Sequence, residues 1–249
     1  MGQHGKYRAL VAAALVFAAT AASAQVVACR QALAIGLDVS ASVDGREYRL
    51  QLEGLAAALT SPQVSTRILA QPEVPISILV YEWSGPFMHR SVLPWTAMTD
   101  EATLIASADQ IARHIRDPLG DTTDQSTAIG PAIAHGIAAI AERAHCWKRT
   151  IDISGDGRHN TGGDPRQQRE LLDSAAITVN GLIVGVDSPR GGDIRQLEIG
   201  ELSSYYNVFV IHGPGAFVET ALGFEDFERA MKRKLLRELE GPLFGALAD

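Results

Sequence analysis

Short apolar runs, each followed by a stretch with helical periodicity, constrain the fold of this chain more than any other feature. The runs fall at residues 32–37, 75–83, 90–95, 148–154, 177–186 and 207–211. Most are continuously apolar rather than alternating, as expected of strands buried on both faces. Between them, Tyr48, Leu52, Leu55 and Leu59 recur every three or four residues, and Ser61-Pro62 ends that helix. Thr99 or Asp100 caps a second helix that runs to about Arg116, with Leu104, Ile105, Ala108, Ile111 and Ile115 on its buried side. An alanine-rich helix follows from Ser126 to Ala144, and Asp164-Pro165-Arg166-Gln167 opens another. A Gly-rich loop at 188–192 leads to a short helix through Leu197 and Leu202. The last helix carries Phe224, Phe227, Met231, Leu235 and Leu239 on one side and mixed charges on the other. Pro94 and the tight turn Ser84-Gly85-Pro86 mark the third strand as an antiparallel edge strand. This alternation predicts one doubly wound, Rossmann-like α/β domain over 25–249. Its sheet has six mostly parallel strands with helices on both faces, and its site lies where the strand order reverses.

The first 24 residues read as a secretory signal peptide. Lys6 and Arg8 precede an apolar stretch, and Ala22-Ser23-Ala24 supplies small residues for cleavage. The stretch is short for a membrane span, and no other is long enough. The expected location is therefore periplasmic or secreted. The formal net charge is −7, and loss of the leader makes it two units more negative. That balance excludes nucleic acid and anionic membrane surfaces as favoured partners. Cys29 and Cys146 are the only cysteines. In an oxidising compartment an even pair suggests a disulfide, whereas Val26-Val27-Ala28-Cys29 also resembles a lipobox that would lipidate Cys29.

Directly after the first run comes Asp38-Val39-Ser40-Ala41-Ser42. If the backbone stays extended, Asp38, Ser40 and Ser42 point to one side. Together they offer an all-oxygen set suited to a hard cation. Asp and Ser also cap helices, so this stretch alone leaves a helix start open. Thr127, at the start of the alanine-rich helix, and Asp156, after the fourth strand, can meet it at the same end of the sheet.

These three segments resemble the von Willebrand factor type A domain and its metal ion-dependent adhesion site, which reads Asp-x-Ser-x-Ser, then Thr, then Asp. Thr127-Ala128-Ile129-Gly130-Pro131-Ala132-Ile133 matches the usual context of the Thr. Ser154-Gly155-Asp156-Gly157 carries one residue more than the usual (Thr/Ser)-Asp-Gly. More narrowly, residues 151–157, Val179-Asn180-Gly181-Leu182 and 213–217 resemble a secreted bacterial family of such proteins of unknown function. The resemblance implies that Ser40 and Ser42 bind Mg²⁺ or Mn²⁺ directly, with Ca²⁺ a third candidate. Asp38, Thr127 and Asp156 would bind directly or through water, and a carboxylate from a protein partner would complete the shell. Asp44, Asp121 and Asp124 add negative charge nearby. Arg158, His159 and Asn160 fall on the rim.

The same architecture makes strands one and four parallel neighbours. Cys29 lies nine residues before Asp38 and Cys146 ten before Asp156. Both cysteines then reach one level at the opposite end of the sheet, on strands about 4.8 Å apart, which implies a Cys29–Cys146 bond. Asp152, a charge inside a central strand, needs a partner that the sequence does not name. The chain lacks Gly-x-Ser-x-Gly, Walker A, Rossmann and His-Glu-x-x-His motifs. His114 and His135 fall within helices, where a structural role is expected. The expected function is an extracytoplasmic, metal-dependent protein-binding module rather than an enzyme. The alternatives are a structural envelope domain with a vestigial site and, less favoured, a metal-dependent phosphohydrolase using Asp38.

Overall fold

A computed structural model describes residues 28–115, 125–185 and 192–240. The expected leader and the acids Asp121 and Asp124 lie outside these residues, as does most of the Gly-rich loop.

The first strand, β1 (Gln31–Asp38), is buried along its whole length. It is followed by α1 (Gly45–Thr60), α2 (Pro62–Ile68), β2 (Ile76–Trp83), β3 (His89–Met98) and α3 (Glu101–Arg113). Next come α4 (Ile129–Ala141), β4 (Lys148–Gly155), a 3₁₀ turn leading into α5 (Arg169–Ser174), and β5 (Thr178–Val184). The chain then forms α6 (Gly192–Tyr205), β6 (Val218–Ala221) and α7 (Phe227–Glu238). The strands form a single sheet in the order β3-β2-β1-β4-β5-β6, antiparallel only between β2 and β3. From β1 the chain passes to β2 on one side, whereas β4 adds on the other. The strand order therefore reverses between β1 and β4, and the crevice of an open α/β sheet forms at the carboxyl ends of that pair.

Side chains alternate across the sheet and feed two cores. Leu33, Ile35, Leu37, Ile78 and Val80 pack with α1, α3 and α7 on one face. Ala32, Ala34, Tyr81, Trp83, Ile151 and Ile153 pack with α4 and with the end of α6 on the other. At the edge, Pro94 lies where the β2–β3 register shifts between Ile78 and Val80. This bulge accommodates a residue without an amide hydrogen.

Several sequence expectations need correction. The sixth strand is Val218–Ala221, paired with β5, not residues 207–211. Tyr206–Val210 instead continues α6 as a π-helical turn, closed by the Ile211 amide donating to the Tyr206 carbonyl at 2.9 Å. The β-branched and aromatic run suggests a strand, but burial of Tyr206 and Val210 four residues apart favours the helical path. Helix α3 starts after Asp100, whose carboxylate accepts from the Thr103 amide at 2.8 Å. It stops before His114, so Ile115 lies beyond its end; Ile115 and Ile105 are exposed rather than buried. Helix α4 begins at Ile129, which leaves Ser126 and Thr127 in a loop.

Candidate metal site

Three segments meet at the carboxyl ends of β1 and β4. The β1 ladder ends with the Val39 amide donating to the Trp83 carbonyl. The backbone does not stay extended beyond it. A turn closed by Val43 N–H donating to the Ser40 carbonyl at 3.0 Å brings Ser40 and Ser42 together, with their hydroxyl oxygens 3.2 Å apart. Asp38 Oδ1 accepts from the Ser40 amide at 2.8 Å. The Ser42 hydroxyl donates to Asp156 Oδ1 at 2.6 Å, joining the first segment to the third.

Thr127 completes the group. Its amide donates to Asn160 Oδ1 at 2.9 Å, and its carbonyl accepts from the Asn160 amide at 3.0 Å. A Cβ built on Gly157 would stand 3.7 Å from its hydroxyl, which places that hydroxyl beside the residue after Asp156. On either side of Thr127, Gln125 accepts from the Ala41 amide and Ala128 donates to the Ser84 carbonyl. The loop is thus tied to both neighbouring segments. Asn160, expected on the rim, acts here as a two-point clasp on Thr127.

Asp38, Ser40, Thr127 and Asp156 are all buried. Burial and then the Asp156 charge raise the Asp38 carboxyl to about 7, against hydrogen bonding with Ser40. Burial also raises Asp156, against its bond from Ser42. Asp38 Oδ2 is buried without a hydrogen-bond partner. Among the described residues no lysine or arginine pairs with either carboxylate. Two adjacent buried carboxylates, three hydroxyls and an unpartnered carboxylate oxygen are what a hard divalent cation satisfies, so the residues present fit one.

Other candidates take different roles. Asp44 caps α1, accepting from the Arg46 and Glu47 amides while Glu47 accepts from its own amide. Arg158 pairs with Glu201 at 3.1 Å and lies over the Tyr205 ring. It borders a groove of about 670 Å³ that is also lined by Leu197, Tyr205, Val208 and Phe209. Phe87, in the turn after β2, is 98% exposed. His114 caps α3 near Glu82, and His135 stacks on His89 with ring centres 4.7 Å apart.

At the other end of the sheet Cys29 and Cys146 are disulfide-bonded, with Cα atoms 4.5 Å apart. The Trp147 amide donates to the Cys29 carbonyl, extending the β1–β4 register to the cystine. Asp152 has its partner in α7. Lys234 reaches it at 2.5 Å and also pairs with Glu238, which accepts from Asn180 at 2.7 Å.

The sheet order and the site at its switch point define a von Willebrand factor type A-like fold. Among similar solved structures is proximal thread matrix protein 1 from the mussel byssus, at 14% identity and a TM-score of 0.56, covering 85% of this chain and 48% of that one. A second structure of that protein is described as having a zinc-occupied MIDAS motif (TM-score 0.56, 14% identity, coverage 85% and 46%). A von Willebrand factor type A protein from Catenulispora acidiphila matches at 12% identity and a TM-score of 0.52, over 85% of this chain and 43% of that one. This chain therefore spans about half the length of these structures. No curated protein sequence matches it. The chain belongs to the family described as "Protein of unknown function (DUF1194)", whose model matches residues 28–243.

Proposed function

We propose that this protein is an extracytoplasmic, metal-dependent protein-binding module. In this reading Ser40 and Ser42 bind one Mg²⁺ or Mn²⁺ directly. Asp38, Thr127 and Asp156 hold it directly or through water, and a carboxylate of a protein partner completes its shell. One observation carries the reading: Asp38 and Asp156 are buried side by side with Asp38 Oδ2 unpartnered. Burying ionised carboxylates without a counter-charge is costly, and a cation bound at this point relieves both the burial and the mutual repulsion. The zinc described in the MIDAS motif of the mussel protein supports a divalent ion at the equivalent place in this fold. The cystine supports an oxidising location. Phe87 and the groove beside Arg158 offer a partner exposed apolar surface.

Thermal unfolding with and without Mg²⁺ or Mn²⁺ tests the metal step, and capture of a partner from envelope extracts tests the binding step. The reading expects the ion to raise Tm, Asp38→Ala to remove the rise, and EDTA to abolish capture. No shift with any divalent ion would support a structural domain with a vestigial site instead. Metal-dependent turnover of phosphoesters would support an enzyme.

A further inference from the structure

Two buried polar atoms without hydrogen-bond partners stand together at this site. One is Asp38 Oδ2; the other is the hydroxyl of Tyr206, whose side chain is fully buried. They meet beside residue 155, which lacks a side chain. A Cβ on Gly155 would stand 2.6 Å from the Tyr206 hydroxyl and 2.9 Å from Asp38 Oδ2, too close to either. Gly155 is not among the residues with a left-handed backbone, so the absence of a side chain there serves space rather than conformation. It is also the extra residue that separates Ser154 from Asp156. On the neighbouring strand a Cβ on Gly181 would stand 2.8 Å from the Tyr206 ring. Two glycines on β4 and β5 thus form a slot for this one ring, and the π-helical turn delivers it.

A phenol can donate, and an ionised carboxylate can only accept. Both stand close to one point beside Gly155, so the phenol is placed to donate toward Asp38 Oδ2. Each would otherwise carry the penalty of an unmade buried hydrogen bond. A carboxylate oxygen has two lone pairs and can accept from this side while still facing a cation.

We infer that Tyr206 is a positioning residue of the metal site, its hydroxyl donating to Asp38 Oδ2 past the bare backbone of Gly155. This rests on the metal-site reading given above. The phenol fixes the orientation of the Asp38 carboxylate, as outer-shell partners of metal ligands do.

The test is Mn²⁺ titration calorimetry on the wild-type chain and on Tyr206→Phe, with Tm measured in EDTA. The variant keeps the ring in its slot. Its Mn²⁺ affinity is expected to fall by about tenfold or more, while its metal-free Tm changes little because the ring stays packed. Gly155→Ala sets a methyl between the two groups, and in a folded variant the same fall in affinity is expected. Wild-type binding with an unchanged Kd in Tyr206→Phe overturns the role of Tyr206 and leaves the metal site standing. A wild-type chain that takes up no Mn²⁺ overturns both.

Discussion

At the residue scale, this fold carries two groups of buried charge with opposite solutions. Among the described residues Asp38 and Asp156 have no ion-pair partner, whereas Asp152 has one in Lys234. Burial and then the Glu238 charge push the Asp152 carboxyl well above its usual range. Burial works against the Lys234 ammonium, but Asp152 and Glu238 outweigh it and raise its pKa. Removing the cation should leave two unpaired acids in the core. Lys234→Met is expected to cost about 3–5 kcal/mol in chemical denaturation, while a change near zero would show the group to be uncharged. The sequence shows Asp152 as an oddity but hides its partner. Lys234 and Glu238 sit on what reads as the charged side of an amphipathic helix, and only docking on β4 turns them inward. Tyr206 is hidden for a related reason, since its neighbours Val208, Phe209 and Val210 have strand composition. The metal residues are more legible because their spacing and their positions at strand ends come from local chain geometry. Even there the route differs, as a turn rather than an extended backbone brings the serines together.

At the element scale, the loop into α4 is the most constrained part of the site. Gln125, Thr127 and Ala128 are each bonded to a different neighbouring segment, and a Cβ on Gly130 would stand 1.8 Å from the Gly163 carbonyl oxygen. Further along α4, His135 stacks on His89 of β3 and packs against Tyr81. Burial and the neighbouring His135 lower His89 to about 4, against its hydrogen bond to the Pro131 backbone, and burial also lowers His135. The folded state therefore favours neutral rings, while the unfolded chain takes up protons near pH 6.5. The associated stability is fully present above about pH 6.5 and is lost as pH falls toward 4. The raised carboxyls of Asp38, Asp156 and Asp152 work the other way over that interval, so the test is a difference: metal-free wild type is expected to lose stability relative to His89→Phe as pH falls from about 6.5 to 4. An identical acid profile in the variant would assign the loss elsewhere. The helices and five of the six strands follow from periodicity. Strand β6 does not, being four residues long and set by its pairing with β5 rather than by its own pattern.

At the scale of the whole molecule, the two strands that carry the site are fastened at their far end by Cys29–Cys146, 117 residues apart in sequence. A chain-entropy account assigns such a closure about 4–5 kcal/mol. Reduction should lower Tm markedly and add two hydrogens to the mass of the otherwise intact chain. An unchanged Tm after complete reduction would show the cystine to be dispensable for stability. The central claim is the cation between β1 and β4. Mn²⁺ binding followed by electron paramagnetic resonance tests it most directly, because bound ion loses the six-line aqueous signal. The account predicts that one Mn²⁺ per chain leaves the aqueous signal, that excess Mg²⁺ displaces it and restores the signal, and that Asp38→Ala leaves the added Mn²⁺ free. A wild-type chain with all its Mn²⁺ still in the aqueous signal at millimolar ion would contradict it.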